Sequence, residues 1–249
     1  MSFIEVSELE WASRLKGAMD YKQEFLENCR FSSKQVLERG TFGKVHAVRS
    51  TRDGKRTSSA VKLMESKDAT EDEGRLACWA QGLHIWHTLC PHPNILQLHE
   101  VYYGEVETRP KIALVSELAD RDLRDFITYY SCVDVRDSRV WTTDLCTGLG
   151  HMHSRDIAHR DIKPANCMLK YQPGASHKML IGDFGQSAVL RRVEACDGGE
   201  GTPHTRSLKE SPCSWEYAAP EVVRKQGYDF KLDVWSAGAI VWQMLQAPI

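Results

Sequence analysis

The chain has 249 residues, of which 42% are apolar and 27% charged, and this is the composition of an ordinary globular protein. Its formal net charge is only −2, so there is no basic excess of the kind that binds the phosphate backbone of nucleic acids, and we expect no nucleic-acid partner. The longest nearly apolar stretch, "VWSAGAIVWQML", is shorter than the roughly 20 residues that span a bilayer, so we expect no membrane anchor.

Residues 1–30 have the pattern of an amphipathic helix. Apolar residues recur at helical spacing between charged ones from residue 5 to residue 29. We expect this N-terminal helical extension to pack on the domain that follows it. Docking of the same helix to a partner protein is the alternative interpretation.

Strand-like runs follow between residues 34 and 64, separated by the turn segments "GTFG" and "RDGKR". They predict a three-stranded antiparallel meander. Residues 70–90 return to helical spacing, and "PHPN" is expected to end this helix. Two further strands, "ILQLHEVYY" and "KIALVSEL", precede a mainly helical half. Strands first and helices later predict an α+β fold with two lobes, joined near residues 117–120.

Two carboxylates and an amide in the second half suit phosphate chemistry with a divalent cation. Asp161 and Asn166 lie in "AHRDIKPANCML", and Asp183 lies in "IGDFGQS". Mg²⁺ prefers oxygen ligands and keeps several waters, so one carboxylate and one amide oxygen suffice where phosphates supply the rest. Asp161 is then left to orient a hydroxyl nucleophile.

Together with "AAPE" further on, these two segments resemble the motifs of eukaryotic-type protein kinases, in the same order and spacing. The resemblance implies that Asp161 is the catalytic base, that Lys163 steadies the transferred phosphoryl group, and that Asn166 and Asp183 bind Mg²⁺. The "KP" of "DIKPAN" resembles the serine/threonine class. In that class a hydroxyl, here Ser214, contacts the catalytic aspartate and lysine.

The resemblance implies a bilobal kinase fold over residues 31–249. We expect an antiparallel sheet lobe over about 31–118, a hinge over about 117–120 and a helical lobe over about 121–249. The chain ends just after the segment that resembles the central helix of the helical lobe, whereas the family continues with further helices. We therefore expect this lobe to be truncated, with Trp235, Trp242 and Met244 left uncovered. Coverage of this surface by a partner is the alternative.

The resemblance also implies an ATP site. Gly40 and Gly43 of "ERGTFGKV" match the glycines of the nucleotide-cradling loop, with Glu38 where a third glycine is usual. Lys62 in "AVKLM" matches the lysine that holds the α- and β-phosphates. The other implied contacts are the adenine-clasping residues Val45, Ala60 and Met168, the hinge residues Glu117 and Ala119 beside the gatekeeper Ser116, and the ribose-facing Asp122.

The helix after Lys62 departs from the family pattern. The family pairs this lysine with a glutamate, but the matching position here is Gly82 or Leu83, ten or nine residues before His92. Gln81 offers Lys62 only a neutral contact, which corresponds to roughly 10- to 100-fold slower phosphoryl transfer. Two functions stay open. One is an ATP- and Mg²⁺-dependent kinase acting on Ser/Thr hydroxyls of a protein substrate, and the other is a nucleotide-binding pseudokinase that acts as a scaffold.

The resemblance implies control through the activation segment. Arg160 precedes the catalytic aspartate, as in kinases whose arginine pairs with a phosphate on that segment. The Gly-, Ser-, Thr- and charge-rich stretch 194–212 is expected to be a long mobile loop. It contains the candidate phosphate acceptors Thr202, Thr205, Ser207 and Ser211, so an upstream kinase is a further expected partner. The sequence leaves the oligomeric state open.

Two packing arrangements follow from the same resemblance. Asp233 in "YDFKLDVWSAGAIVW" is expected to brace the backbone of the catalytic loop. His159 and Phe184 are expected to stack with Leu98 and with either Ile85 or Trp86 in an apolar column.

Cysteine and histidine usage gives two further expectations. The eight cysteines are scattered without a Cys-x-x-Cys pair, and no N-terminal apolar segment resembles a signal peptide, which favours free thiols in an intracellular setting, cytoplasmic or nuclear. His84, His87, Cys90 and His92 have residue types that bind zinc, but helix periodicity and the kinase-like "HPNI" explain them without a metal.

Overall fold

A computed structural model describes most of the chain from residue 36 onward. The described residues are 36–40, 43–52, 55–65, 72–106, 109–190 and 214–246. The predicted helix at residues 5–29 and the predicted mobile loop at residues 194–212 lie outside them.

The chain forms two compact units. The first comprises the described parts of Met1–Ala80 together with Gln97–Leu118, and the second comprises Gln81–Leu96 and the described parts of Ala119–Ile249. Each unit is built on a different kind of layer, a sheet in the first and helices in the second.

A five-stranded antiparallel sheet forms the first unit, in the strand order β1-β2-β3-β5-β4. The strands are β1 Val36–Gly40, β2 Gly43–Arg52, β3 Lys55–Glu65, β4 Leu98–Val106 and β5 Arg109–Glu117. The meander of β1, β2 and β3 was predicted from the alternating pattern and is confirmed. Strand β5 pairs with β3 over seven residue pairs, so the later hairpin extends the sheet at that edge.

One predicted strand begins later than its pattern suggested. The run "ILQLHEVYY" predicts a strand from Ile95, but β4 begins only at Leu98. Ile95 instead forms an isolated parallel bridge with Ile181, and the Leu96 N–H donates to the Ile181 carbonyl at 2.8 Å. The apolar run therefore serves two different pairings, which a single periodic pattern does not separate.

Helices form most of the second unit. Helix α1 spans Asp72–Leu89 and ends before "PHPN" as predicted, and its last nine residues belong to this unit. The other helices are α2 Leu123–Tyr130, α3 Val135–His153, α4 Pro220–Val223 and α5 Lys231–Leu245. The unit also contains two small sheets. One consists of β6 Arg121–Asp122, β8 Cys167–Lys170 and β9 Lys178–Ile181. The other consists of β7 Ile157–Ala158 and β10 Ala188–Val189.

The core of the second unit lies along α3. Trp141, Leu145 and Met152 are at most 1% exposed and recur on one helical face. Leu169 of β8 and Ile181 of β9 are also fully buried. The predicted α+β fold, with an antiparallel sheet lobe and a helical lobe, is confirmed.

Helix α5 is buried along one stripe only. Ser236, Ile240 and Met244 recur every four residues and are buried, whereas Trp235 and Trp242 are 52% and 65% exposed. The two tryptophans are uncovered as expected, but the expectation for Met244 is wrong because it lies on the buried stripe. In the part of the chain that the structure describes, no helix is both long and apolar enough to cross a membrane.

Candidate active site

The segment between β7 and β8 carries the predicted catalytic residues. Lys163 Nζ lies 2.7 Å from Asp161 Oδ2 and donates to Ser214 Oγ at 3.1 Å. Ser214 Oγ in turn donates to Asp161 Oδ1 at 3.2 Å. The predicted contacts of Ser214 with both residues are confirmed. This closed triangle fixes the Asp161 carboxylate, which is still 12% exposed and so remains open to a substrate.

Asn166, near the end of the same segment, stabilises it by hydrogen bonds to Asp161. Its side-chain amide donates to the Asp161 carbonyl at 2.7 Å and to Asp161 Oδ2 at 3.2 Å. Its backbone carbonyl accepts the Gly182 N–H at 2.9 Å. Since the amide nitrogen is turned toward Asp161, the amide oxygen is the atom that Asn166 can offer to a metal ion.

Asp183 follows β9 and stands in the left-handed region, with φ of 59° and ψ of 75°. Aspartate is one of the non-glycine residues that adopt this region most readily. The preceding carbonyl, that of Gly182, accepts a hydrogen bond from His159 Nε2 at 3.0 Å. Two hydrogen bonds at Gly182 therefore tie the Asp183 segment to the loop that carries Asp161 and Asn166.

Asp233 of α5 stabilises the backbone of the segment that carries Asp161. It is fully buried, and its two carboxylate oxygens accept the backbone N–H groups of His159 and Arg160, each at 2.9 Å. Arg160 has φ of 69°, a conformation that is costly for a long side chain unless its surroundings hold it. The predicted brace is confirmed, and it stabilises this strained residue directly before Asp161.

His153 belongs to this brace and was missed in the sequence. Its Nε2 lies 2.9 Å from Asp233 Oδ2. The two residues are 80 positions apart, and nothing in the helical periodicity of α3 singles out His153. The only sequence feature that could have pointed to His153 is the recurrence of histidine at His151, His153 and His159.

Phe184 stands in a short column of rings. Its ring centroid lies 5.4 Å from that of His159 and 5.7 Å from that of Trp86. The sequence left Ile85 and Trp86 open for this place, and the ring contact belongs to Trp86. Trp86 is itself fixed, because its Nε1 donates to the Leu96 carbonyl at 2.6 Å.

In the first unit, strand register puts the predicted nucleotide-binding residues on one face of the sheet. Lys62 of β3 is the cross-strand partner of Val45 of β2, and Ala60 lies two residues before Lys62. Since directly opposite residues and alternate residues of a strand share a face, Val45, Ala60 and Lys62 lie on the same side. Gly40 and Gly43 pair with each other at the end of the β1–β2 hairpin.

The predicted hinge residues and the remaining predicted nucleotide contacts, Asp122 and Met168, belong to different elements. Glu117 ends β5, and its N–H donates to the Gln97 carbonyl at 2.9 Å. Asp122 and Met168 are cross-strand partners in the second unit. The Asp122 carboxylate also caps α2, because Oδ1 accepts the Asp125 N–H at 2.8 Å. Ala119 begins the later of the two chain segments of the second unit and is half-buried.

Cys167, next to Met168 in β8, is not a nucleophile at neutral pH. Its thiol is fully buried, and this burial raises its pKa to about 12, with the nearby Asp122 carboxylate adding to the shift. A thiol of this kind stays protonated and behaves as a small apolar side chain.

The guanidinium of Arg160 is held by two groups. Its Nε donates to the Gln186 carbonyl at 2.6 Å, and its Nη1 donates to the Tyr228 hydroxyl at 3.2 Å. Tyr228 was not identified in the sequence. The predicted phosphate acceptors Thr202, Thr205, Ser207 and Ser211 lie outside the described residues.

Two residues of the zinc alternative, His92 and Cys90, have other contacts. His92 stacks on His151 with 4.0 Å between ring centroids, and its Nδ1 accepts the Asn94 N–H at 3.2 Å. Cys90 Sγ donates to the Leu96 carbonyl at 3.6 Å. Across the described ranges, no cluster of three or more His, Cys, Asp or Glu side chains could hold a metal ion.

The donor chemistry of Asn166 and Asp183 suits a different metal. Both offer oxygen, and Mg²⁺ takes oxygen ligands while keeping waters and substrate phosphates in its remaining positions. The hydrogen bonds at Gly182 hold the two residues in neighbouring segments. These residues therefore fit a magnesium–nucleotide complex better than a metal caged by protein alone.

Comparison with known proteins agrees with this chemistry. Residues 31–248 match the family model of the protein kinase domain. Human "Serine/threonine-protein kinase H1" is 31% identical over 218 residues, which are 87% of this chain and 46% of that protein. The "Serine/threonine-protein kinase H1 homolog" of Danio rerio is 30% identical over 237 residues, 94% of this chain and 51% of that protein.

A plant relative is similar to the same extent. "CBL-interacting serine/threonine-protein kinase 26" of Arabidopsis thaliana is 32% identical over 217 residues, 85% of this chain and 44% of that protein. The chain thus spans about half the length of the curated relatives that it matches.

Proposed function

The chain belongs to the protein kinase family, in its serine/threonine class, and from this premise we propose that it transfers the γ-phosphate of ATP to serine or threonine hydroxyls of a protein substrate. The observation that carries this proposal is the triangle of Asp161, Lys163 and Ser214. A partly exposed carboxylate held by a lysine and a hydroxyl is suited to orient a substrate hydroxyl.

We propose that Asp161 accepts the proton of the substrate hydroxyl as its oxygen attacks the γ-phosphorus. The new O–P bond forms while the bond to the β–γ bridging oxygen breaks, so ADP leaves and the proton passes from Asp161 to solvent. Lys163, 2.7 Å from Asp161 Oδ2, adds positive charge beside the transferred phosphoryl group.

Asn166 and Asp183 are the proposed ligands of Mg²⁺. When bound, the ion supplies positive charge that offsets the charge of the phosphates. The chain's own contribution is to hold both oxygen ligands by the hydrogen bonds at Asp161 and Gly182. Loss of either ligand is therefore expected to weaken nucleotide binding that depends on the ion.

Each unit carries its own group of proposed ATP-binding residues. In the first unit they are Gly40 and Gly43 for the phosphates, Lys62 for the α- and β-phosphates, Val45 and Ala60 for adenine and Glu117 for the hinge. In the second they are Ala119, Met168 and Asp122, the last facing the ribose. The shared face of Val45, Ala60 and Lys62 supports the first group, and the Asp122–Met168 pairing supports the second. We propose that the kinase domain covers residues 31–249 and that residues 1–30 form an extension.

We further propose that an upstream kinase controls the protein through its activation segment. Arg160 supports this, because its guanidinium directly adjoins the catalytic loop and could exchange the neutral Gln186 and Tyr228 oxygens for a phosphate. A phosphate on the segment would then connect to Asp161 through the Arg160 backbone.

A nucleotide-binding scaffold is the second candidate, and Gly82 is the observation that favours it. Neither Gly82 nor Leu83, the two positions that match the family's glutamate, offers a carboxylate. The scaffold needs neither the Asp161–Lys163 contact nor the contact of Ser214 with both residues. These contacts therefore favour the enzyme.

The deciding experiment compares the full chain with an Asp161→Asn variant in an assay of radiolabelled ATP on a general protein substrate such as casein. General-base loss corresponds to a fall of roughly 10²- to 10⁴-fold in transfer. Asp156→Asn is the matched control, because Asp156 is an exposed aspartate outside the site. Equal transfer by wild type and Asp161→Asn, or retained ATP binding without transfer by wild type, would favour the scaffold.

A further inference from the structure

Gly82, in the middle of α1, lies against the backbone of the Asp183 segment. A Cβ atom added to Gly82 would lie 2.8 Å from the Phe184 carbonyl oxygen and 3.1 Å from the Gly185 Cα. Both neighbours are backbone atoms, which cannot swing aside as the end of a side chain can. Only glycine therefore allows the helix and this backbone to approach so closely.

The same helix holds Phe184 at a second point. Trp86 lies one turn beyond Gly82, so the two residues share a helical face. The Trp86 ring packs on the Phe184 ring, which is only 2% exposed and also contacts His159. Helix α1 thus contacts the backbone of Phe184 through Gly82 and its side chain through Trp86.

The position of Phe184 bears directly on Asp183. The Asp183–Phe184 segment is fixed on its C-terminal side, where the Phe184 carbonyl lies against Gly82, and on its N-terminal side by the two hydrogen bonds of Gly182. Asp183 has φ of 59°, in a narrow region that leaves little room to absorb a shift of its neighbour. A displaced Phe184 peptide would therefore reorient the Asp183 carboxylate.

We propose that Gly82 is a positioning residue. Because it has no side chain, the Phe184 carbonyl packs directly against the helix, and this packing orients the Asp183 carboxylate toward a divalent cation. This proposal rests on the proposed function, in which Asp183 binds Mg²⁺. It also explains in structural terms why no glutamate stands at position 82. In this chain a side chain at position 82 meets backbone, so we expect Gly82→Glu to disturb the site although it adds a carboxylate to the helix.

Helix propensity provides a matched control. Alanine is a better helix former than glycine, so Gly→Ala on propensity alone favours the folded protein at any helical position. Gly150 is a helical glycine of α3 whose added Cβ would meet no atom within 4 Å. Gly150→Ala therefore measures propensity alone, and Gly82→Ala measures propensity together with the contact at Phe184.

The first measurement is independent of nucleotide. Full-length protein is labelled with 5-fluorotryptophan, the Trp86 signal is assigned with a Trp86→Phe variant, and ¹⁹F NMR spectra are recorded for Gly82→Ala and Gly150→Ala. We expect the Trp86 resonance to shift in Gly82→Ala and to stay in place in Gly150→Ala. If both variants leave it unchanged, the packing inference is wrong.

The second measurement follows the Mg²⁺ concentration that gives half-maximal binding of a fluorescent ATP analogue, with kcat and KM alongside. Residues that orient a metal ligand typically contribute 10- to 100-fold to metal affinity, so Gly82→Ala is expected to raise this concentration by roughly that factor. Gly82→Glu is expected to raise it further, and Gly150→Ala to leave it unchanged. A Mg²⁺ requirement that is the same in all three variants would overturn the positioning role.

A third measurement needs no substitution, in case Gly82→Ala does not fold. In wild-type protein with ¹³C-labelled glycine, a nuclear Overhauser effect between the Hα atoms of Gly82 and Gly185 is expected, and its absence would refute the contact. Wild-type protein that binds no Mg²⁺–ATP overturns the proposed function and the positioning role with it. The fluorine and glycine signals still decide the packing by themselves.

Discussion

Ser214 Oγ donates a hydrogen bond to Asp161 Oδ1 at 3.2 Å across 53 positions of sequence. The Ser214 N–H donates to the same oxygen, also at 3.2 Å. One oxygen of the proposed base thus accepts two hydrogen bonds from a single residue, while Lys163 holds the other. Ser214, which lies shortly after the stretch 194–212, therefore helps to orient the Asp161 carboxylate.

Replacing Ser214 by alanine removes the hydroxyl's hydrogen bond to Asp161 and the one that it accepts from Lys163, and it keeps the hydrogen bond from the backbone N–H. Hydrogen bonds to charged groups contribute about 1.5–3 kcal/mol, so we expect kcat to fall by roughly 10- to 100-fold. Steady-state transfer from radiolabelled ATP measures the change. Ser154→Ala, an exposed serine at the end of α3, is the control, and a loss of equal size there would contradict a specific role for Ser214.

The buried Asp233 carboxylate gives a prediction about stability. It accepts hydrogen bonds from His159, Arg160 and His153, and an asparagine amide would turn its NH₂ group toward one of these donors. Because hydrogen bonds to charged groups contribute about 1.5–3 kcal/mol, we expect Asp233→Asn to lower the free energy of unfolding by about 2 kcal/mol or more. Urea denaturation measures it. Asp156→Asn, at an exposed residue with φ of 57°, should change stability little, because asparagine tolerates this conformation equally well.

The residues of the proposed chemistry were predictable because they stand in short contiguous motifs. Asp161, Lys163 and Asn166 lie within six residues, and phosphoryl transfer needs their types, which are a proton acceptor, a cation and an oxygen ligand. The strand order of β1, β2 and β3 was equally predictable, because alternation and turn residues act locally. These parts of the fold depend on interactions between near neighbours in the sequence.

Residues that act through distant partners could not be predicted in this way. His153 and Tyr228 act through groups 80 and 68 positions away, which no local pattern encodes. Gly82 is a different case. The sequence shows that a glycine stands there, but it does not show why a side chain is excluded. The structure gives the physical reason, which is the Phe184 carbonyl at the position where a Cβ would lie.

The stacked pair of His92 and His151 makes stability depend on pH. Burial lowers the pKa of both imidazoles below the ordinary 6.5, and the positive charge of Arg155 adds to both shifts. His151 and Lys178 lower the pKa of His92 further. The native state then binds fewer protons than the unfolded chain. The contribution of the pair is complete above pH 6.5 and is lost as the pH falls through 6.5 toward the lowered native pKa values.

Urea denaturation at pH 7.5 and 5.5 tests this prediction. We expect the loss of stability between these pH values to be smaller in His151→Gln than in wild type, because glutamine does not titrate. His87→Gln, at an exposed histidine outside the stack, should retain the wild-type loss. A His151→Gln variant with an unchanged pH dependence would contradict the contribution of the pair.

The last prediction concerns Ser138, in the first turn of α3, whose buried hydroxyl has no hydrogen-bond partner among the described residues. Its backbone groups are satisfied, because its N–H donates to the Asp134 carbonyl and its carbonyl accepts from Thr142 Oγ1. An unpaired buried polar group costs about 1–3 kcal/mol, and alanine also has the better helix propensity. We therefore expect Ser138→Ala to raise the free energy of unfolding by about 1 kcal/mol in urea denaturation. Ser236→Ala is the matched control of opposite sign, because Ser236 Oγ donates to the Tyr217 carbonyl at 2.7 Å, and equal destabilisation of the two variants would contradict an unpaired hydroxyl at Ser138.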